Sequence, residues 1–599
     1  MAKKKEEGLT YLQMPLPSGR KSQTAKKRSW AGFNKRQTVD TGELSAEMNI
    51  STLEAPYLVP SQKPRVIYDE YTDTSIRPIS LFGFEDFLIM IYKKDRKILL
   101  DYIAGDGNVY TGLMQESSAS YKDEYQRCVL QFNKYDVPTD PIDGKFIKKL
   151  IILPDRKSMD FHFETLSEMP DEPENGVVYC IETNGVKIYR VYSSDGGYED
   201  SIYFPINDLS VYVKEYYNSE SETDEGGATI YPPPKEASHS YYYKNKYNQD
   251  VYIWSEFDVI DDDGNKTGET AQGWRVTAPP SFPPIKYGVV YLSRLFGVDD
   301  DRIYASGYND YTNWNFDTAG EYNESNAWCT PAQANTKAGG IFTGITAFQS
   351  HVICFKSDYM HELYNTKNPF RLQDIFAEGA IDHRTIQDVD GRLIFVSEDG
   401  VKLYTGSNPR IIDYNLNMTQ YRYAAAGTDN RCYYLYCEDE NHVKRLFVYD
   451  TYVDEWSERE IEERVLSFAH NTNGMYMLTK VGEILQLDTD IYSHNWSFET
   501  DLITNETVNI KHIKKLQMLA DMSSGSRIQV YILYDDEEFN EDTSHLAYSG
   551  QGGGKKAIRV RPRRTAHYGF KLHVEGFGYV RLYELEIGLE AGGDMYVTN

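Results

Sequence analysis

No two of the six cysteines stand as C-x-x-C: Cys128, Cys180, Cys329, Cys354, Cys432 and Cys437 are scattered through 599 residues. Such a density makes no disulfide framework. Reduced, mostly buried thiols made in a cytoplasm are the reading that fits. Long apolar runs are also missing. The longest, such as Phe87–Tyr92, has the length of a strand, so no membrane segment is expected. The N-terminus is basic with no apolar stretch behind it, which argues against a signal peptide. A protein of this kind that leaves its cell needs another route, such as release by lysis. Heptads of helix-forming residues are absent, which excludes a coiled coil. The 12 histidines include no H-x-x-x-H or H-E-x-x-H pair, so metal catalysis has no anchor. No G-x-S-x-G elbow marks a serine hydrolase.

What is present in excess is tyrosine and negative charge. Aromatics make up 14% of the chain, with 50 Tyr, and 40% of residues are apolar. That is enough to build cores, and it favours strands over helices. The length suggests several domains. The formal net charge is −28. An acidic body repels the DNA backbone. The sign is reversed at the start, where residues 1–36 hold Lys3, Lys4, Lys5, Arg20, Lys21, Lys26, Lys27, Arg28, Lys35 and Arg36 against Glu6 and Glu7, a net of +8. The other 563 residues therefore carry −36. A basic arm on an acidic body suits docking to an acidic neighbour, another copy included, although a solvated tail would look the same. Lys3, Lys4, Lys5, Lys26, Lys27, Arg28, Lys35 and Arg36 are the candidate subunit or adaptor interface.

The chain also repeats itself. Ile345–Tyr364, Ile386–Gly406, the segment from Gly427, and Val465–Asp488 each read as strand, polar turn, apolar strand, polar turn, strand. Their apolar centres, near Ile353, Ile394, Tyr434 and Met475, are 41, 40 and 41 residues apart. Asp390-Gly391, Asp399-Gly400 and Asn473-Gly474 are turn dipeptides that accept positive φ. A four-stranded antiparallel sheet of about 40–45 residues is the size of a propeller blade, and such sheets must stack to bury both faces. Weaker copies stand at Phe84–Ile103, Ile142–Phe161 and Tyr291–Gly307. The expected fold is all-β: a β-propeller of roughly six to eight blades with an inserted β domain and a C-terminal β-sandwich. A sandwich of two sheets is the alternative. The expected boundaries are a basic arm and lead-in over 1–60, a propeller over 61–161 and 285–495, an insertion over 162–284, and the C-terminal sandwich over 496–599. The insertion is marked by the acidic run Ser219–Gly227, by Tyr231–Lys235 (YPPPK) and by Ala278–Ile285 (APPSFPPI). Loops of this kind are where partners bind. The sandwich is read from alternating stretches at Lys514–Ala520, Arg527–Tyr534, Ala557–Arg564, His567–Glu575 and Tyr579–Leu589.

Candidate chemistry is sparse. Gly552–Lys556 (GGGKK) looks like a phosphate loop but has Ser549 where the first glycine belongs and Ala557 where Ser or Thr is needed. It reads as a hairpin tip. Asp261–Asp263 with Gly264 and Asn265 offers oxygens to calcium but lacks the twelfth-position Glu, and reads as an acidic turn, as does Asp299–Asp301. Tyr241–Tyr243, Tyr247 and Tyr252 could stack sugars, and tyrosines in sheets more often pack across strands. Paired carboxylates keep a propeller glycosidase open as the enzymatic alternative. No catalytic residue, cofactor or metal is expected.

Three stretches in order resemble the β-propeller tail proteins of tailed bacteriophages, which include tail nozzle and stabilisation proteins. They are Gly32–Pro60; the run of Asp301–Trp314, Ile341–Tyr364, Glu378–Gly406, Arg410–Asp413 and Leu446–Trp456; and Arg561–Arg564 followed by Tyr579–Leu589. The resemblance covers most of the chain except 162–284. It implies a structural virion protein without enzymatic activity, assembled in the host cytoplasm. It implies a ring of about six copies closed by head-to-tail contacts. That ring would sit below a portal or head–tail adaptor, beside other tail proteins, with double-stranded genome DNA passing through and no membrane involved. A negative lumen would let the duplex slide. A glycan-binding propeller module, or less readily a glycosidase, is the alternative.

Overall fold

Each polar turn in the repeat brings two apolar strands side by side, and the fold is built from that step. The computed structural model describes residues 9–15, most of 44–116, the strands between Cys128 and Val276, and most of 283–591. Helix among the described residues amounts to short 3-10 turns such as Glu70–Thr72, His383–Thr385 and Tyr414–Leu416. The rest is strand and turn, in many small and mostly antiparallel sheets. The chain is all-β and fits a propeller-type construction. Contact density divides it into two units, residues 1–126 with 356–360 and 375–599, and residues 127–355 with 361–374.

In the first unit four sheets follow one design. One holds Ile76–Phe84, Phe87–Lys94, Lys97–Ile103 and Val109–Glu116, in that order. A second holds Gln387–Val389, Arg392–Ser397, Gly400–Tyr404 and Arg410–Ile411; a third, Tyr423–Thr428, Cys432–Glu438, Lys444–Asp450 and Glu455–Arg459. The fourth takes three strands from Val465–Asn471, Gly474–Thr479 and Ile484–Gln486, and its last from far upstream: Arg65–Tyr68 pairs antiparallel with Ile484–Gln486. Closing one sheet with strands from both sides of the chain ties distant segments together with backbone hydrogen bonds.

The four sheets bury their faces against one another. Val396, Leu403 and Val401 pack with Leu435, Phe447 and Trp456. Tyr436, Leu446 and Val448 pack with Phe468, Met475 and Met477. Leu466, Leu478 and Ile484 pack with Leu81, Met90 and Ile103. Burying a Leu or Phe side chain contributes about 1.5–3 kcal/mol, so these faces dominate stability. Ile394, Tyr434 and Met475, three of the apolar centres of the repeat, are buried on the second strand of their sheets. Side-chain hydrogen bonds also join the first strands of successive sheets. Gln387 Nε2 donates to Ala426 O at 3.3 Å, Tyr423 OH to Val465 O at 3.0 Å, and Leu81 N to Ser467 Oγ at 2.8 Å. The first strands approach so closely that Gly83 leaves no room for a side chain; a Cβ there would overlap the His470 carbonyl.

The turns are held by aspartates. Asp299 and Asp429 make the same brace: one carboxylate oxygen accepts from the second and third following backbone N–H groups, and the other from a tyrosine five residues on, Tyr304 at 2.8 Å and Tyr434 at 2.9 Å. This is an Asx turn extended across the hairpin. Both central residues of Asp390-Gly391 have positive φ, +52° and +72°, as the sequence led one to expect. At Asp399-Gly400 and Asn473-Gly474 only the glycine does. Each of those glycines faces a carboxylate, Asp413 and Asp488 respectively.

Two sheets of the same unit form a sandwich. One has the order Leu9–Pro15, Val580–Ala591, Lys511–Met522, Gly554–Arg559; the other, Leu44–Met48, Asn495–Thr500, Phe570–Phe577, Arg527–Tyr534, His545–Gln551. Alternating burial along Lys511–Met522 and Phe570–Phe577 sends Leu516, Met518, Leu572 and Val574 into one core. Two N-terminal strands take part, which the alternation of the C-terminal residues alone could not reveal. The glycine run is not a hairpin tip. His545–Gln551 pairs with Arg527–Tyr534 in one sheet and Gly554–Arg559 with Lys511–Met522 in the other, so Gly552–Gly553 carries the chain across the corner of the sandwich.

In the second unit a seven-stranded sheet runs from Cys128–Tyr135 to Gly197–Glu199. It continues past residue 161, where an insertion was expected to begin, because Phe161, Thr165 and Leu166 pair in parallel with Val178, Cys180 and Ile181. A four-stranded sheet of Val213–Tyr216, Tyr242–Asn245, Val251–Ile260 and Lys266–Val276 follows, and then one of Tyr287–Tyr291, Arg294–Val298, Ile303–Ala305 and Trp328–Cys329. Phe296, Val298 and Ile303 of the latter pack with Ile345, Val352 and Leu363.

Replacing Gly83 by Ala is expected to lower stability by about 1–3 kcal/mol, the range for overpacking, as read from the urea midpoint. Gly525→Ala serves as a control for bulk, because nothing lies within 4 Å of a Cβ there, although its φ of +84° adds backbone strain of its own.

Candidate functional site: a guanidinium–tyrosine ladder

A cluster of charged and aromatic groups links three sheets of the first unit. The 3-10 turn His383–Thr385 is capped by Asp382, whose carboxylate accepts from Arg384 N at 2.9 Å. The same carboxylate takes the Arg384 side chain from two nitrogens, at 3.0 and 2.7 Å. Arg384 Nη1 donates to Tyr423 OH at 2.9 Å, and the ring centre of Tyr423 lies 4.8 Å from Arg384 Cζ and 4.7 Å from Arg464 Cζ. Arg464 donates from Nε and Nη2 to the two oxygens of Glu438, which also accepts from Tyr436 OH at 2.8 Å. Two cations share one aromatic ring because a carboxylate neutralises each of them. A cavity of about 500 Å³ borders the ladder, lined in part by Asp382, Arg384, Gln420 and Tyr423.

The electrostatics follow from this pairing. Burial works against ionising Asp382, but hydrogen bonds and charge from Arg384 outweigh it and hold the carboxyl below its ordinary range. Burial likewise opposes the Arg384 charge, and Asp382 more than restores it. For Glu438, burial is again overcome, here by Arg464 and Tyr436. Burial pushes the Tyr423 hydroxyl up, so it stays protonated. A network of two carboxylates and two guanidinium groups, each charge fixed by its partner, binds sheets together and has no proton in play near neutral pH.

Other buried carboxylates are committed in the same way. Asp101 accepts from Tyr71 and Tyr92. Asp450 accepts from Arg431 and Thr52, and Glu458 from Arg445. In the second unit Glu362 accepts from Tyr364. Asp413 accepts from Tyr421 at 2.5 Å, and burial raises its pKa.

The structure places few of the residues singled out from sequence in any site. Lys3, Lys4, Lys5, Lys26, Lys27, Arg28, Lys35 and Arg36 lie outside the described residues, as do Asp261–Asp263. Asp299–Asp301 is a braced turn. Tyr243 and Tyr252 are buried opposite one another in register, and Tyr243 meets Trp274 edge-on at 5.6 Å. That is cross-strand packing. Cys354, Cys432 and Cys437 are free and buried. Among the described residues no group of three metal-ligating side chains is found, and no helix is long and apolar enough to cross a membrane. Sequence reasoning missed the ladder, since its members come from four separate strands or turns and only the pairing of sheets brings them together. The one local signal was Asp382 two residues before Arg384.

No family model and no curated protein matches the chain. Among solved structures, the chain is similar to BamB from Moraxella catarrhalis, with 8% identity over 72% of this chain and 99% of that one, and a TM-score of 0.28. A Trypanosoma rangeli sialidase matches at 8% identity over 86% and 91%, with a TM-score of 0.22. A family 43 arabinoxylan arabinofuranohydrolase from Bacillus subtilis matches at 8% over 56% and 92%, with a TM-score of 0.17. Scores this low carry no argument, and the sheets themselves define the architecture.

Glu438→Gln is expected to lower stability at neutral pH by about 1.5–3 kcal/mol, the worth of charge-assisted hydrogen bonds. Asp382→Asn should cost less, because Asp382 keeps 35% of its side chain in solvent. Both carboxyls have folded-state pKa values below their unfolded ones. Their contribution is therefore full above the ordinary carboxylate range and fades as pH falls through the depressed values. Urea melts at successive pH values should show the wild type losing stability on acidification and Glu438→Gln losing less.

Proposed function

We propose that the protein is structural: a propeller of roughly six to eight blades that assembles into a ring in the tail of a phage particle, below a portal or adaptor. The observation that carries the structural half is the commitment of the buried carboxylates. Asp101, Glu362, Asp413, Glu438, Asp450 and Glu458 each accept from a tyrosine or a cation within the fold. Groups held this way brace sheets and turns, which suits a part that must bear load. The virion half is supported by the order of the three resembling stretches and by the split of charge between the first 36 residues and the rest. A body carrying −36 would repel DNA phosphates lining up in a ring's channel, and an arm carrying +8 would reach an acidic neighbour. On this reading about six copies close head to tail, and DNA passes without sticking.

Asp413 favours a second reading. A buried carboxyl with a raised pKa is the kind of group that acts as a general acid in a glycosidase. Its donor Tyr421 and its place beside Gly400 support the structural role instead.

Negative-stain microscopy of the purified full chain tests the first reading, with rings or stacks expected. Reversing Lys26, Lys27, Arg28, Lys35 and Arg36 to Glu together should abolish rings while leaving the melting temperature unchanged. Rings that survive the reversal would remove the arm from assembly, and a monomer at all concentrations would remove the ring. Sugar release from polysaccharide that vanishes in Asp413→Asn would favour the second reading.

A further inference from the structure

A hydroxyl, an imidazole and a carboxylate stand in one hydrogen-bonded line in the C-terminal sandwich. Thr565 Oγ lies 2.6 Å from His567 Nε2, and His567 Nδ1 lies 3.1 Å from Asp535 Oδ2. An ionised carboxylate can only accept, which assigns the proton of the neutral ring to Nδ1. Nε2 is then left to accept from the threonine hydroxyl.

The line is held from behind. Asp535 follows the strand Arg527–Tyr534 and has a φ of +54°. Its other oxygen accepts from the backbone N–H groups of Tyr568 at 2.7 Å and Gly569 at 3.1 Å. Burial opposes the Asp535 charge, but hydrogen bonds from Gly569 N, His567 and Tyr568 N outweigh it and hold the carboxyl below its ordinary range. His567 exchanges two backbone hydrogen bonds with Lys511, at 2.8 and 2.9 Å, and its ring centre lies 4.1 Å from that of Tyr534. The turn aspartates Asp299 and Asp429 give their second oxygen to a tyrosine of the same hairpin. Asp535 gives its second oxygen to an imidazole, and that imidazole reaches a further hydroxyl. Thr565 is exposed, so a reagent meets that hydroxyl from solvent.

Free donors adjoin the hydroxyl along the chain. Arg563 N donates to Tyr534 OH, and His567 N to Lys511 O. Between them, the N–H groups of Arg564, Thr565 and Ala566 have no acceptor among the described residues. Unmatched N–H groups next to a nucleophile are what a developing oxyanion uses.

We propose that Thr565 is a nucleophile for carboxylic esters, with His567 as its general base and Asp535 as the positioning residue. His567 Nε2 takes the hydroxyl proton as Oγ bonds to the carbonyl carbon of the ester, and the carbonyl electron pair moves onto oxygen. Collapse breaks the ester C–O bond. The departing alcohol recovers the proton from His567, and acyl-threonine remains. Water then repeats the sequence and releases the carboxylic acid. This activity goes beyond the structural reading and does not depend on it, since one chain supplies all three residues.

The purified full chain is mixed with 4-nitrophenyl acetate. A burst of about one nitrophenolate per chain is expected, with the acetyl group located on Thr565 by mass spectrometry. Thr565→Val should remove burst and label without moving the melting temperature, and Thr565→Ser should keep both. His567→Gln should slow acylation at least about a hundredfold. Asp535→Asn should slow it as well, and Asp535→Glu should recover part of the loss. If the Asp535 variants do not fold, the contrast between Thr565→Val and Thr565→Ser decides alone. Equal nitrophenolate release by the wild type and Thr565→Val overturns the proposal. So does an acetyl group found only on other residues, or release no faster than in buffer.

Discussion

The constraint on which the first unit depends is the close approach of the first strands of successive sheets. A single four-stranded sheet has two faces and can cover neither by itself. Here the facing sides of successive sheets cover one another, with Leu435 and Phe447 against Val401 and Leu403, and Leu446 and Val448 against Met475 and Met477. That stacking requires small residues where the strands converge. Gly83 lies on the His470 carbonyl, and Gly427 meets Phe468 and Met475. The strand Arg65–Tyr68 then fills the edge of the 465–486 sheet, so an edge that would invite another chain is occupied.

Polar groups follow from the same packing. Where sheets converge, donors and acceptors lose water and must find partners. The ladder from Asp382 through Arg384, Tyr423 and Arg464 to Glu438 and Tyr436 is one solution. Each arginine has a carboxylate of its own, which keeps a partly desolvated arginine pair tolerable on either side of one tyrosine. Turn aspartates such as Asp299 and Asp429 are a more local solution, each satisfying two backbone donors and one hydroxyl. Arg459 stands apart because strand alternation sends the preceding Glu458, paired with Arg445, to the opposite face. The same alternation that builds the sheet leaves that cation with an aromatic neighbour and a cavity.

Much of this was legible in the residues. Strands, hairpin turns and the 40-residue period are local, and local chemistry writes them: Ile394, Tyr434 and Met475 are buried on second strands, as their apolar surroundings required. The alternating C-terminal stretches form the sandwich for the same reason. The Asp390-Gly391 turn needs only its own two residues. The glycine run at 552–554 was read as a hairpin, since the strands on either side of it look alike; which sheet each one joins depends on partners 13 to 42 residues away.

What the sequence determined by itself was therefore period, strand character, turn chemistry and the division of charge, because each depends on neighbours along the chain. What the tertiary structure decided was pairing over long separations. Arg65–Tyr68 completes a sheet begun at Val465, and Leu44–Met48 completes one begun at Asn495. Tyr423 is wedged between Arg384 and Arg464, and Arg459 and His494 line one cavity. Hydrogen bonds and charge pairs act over a few ångströms of space with no regard to separation along the chain, so only the folded arrangement of sheets could choose those partners.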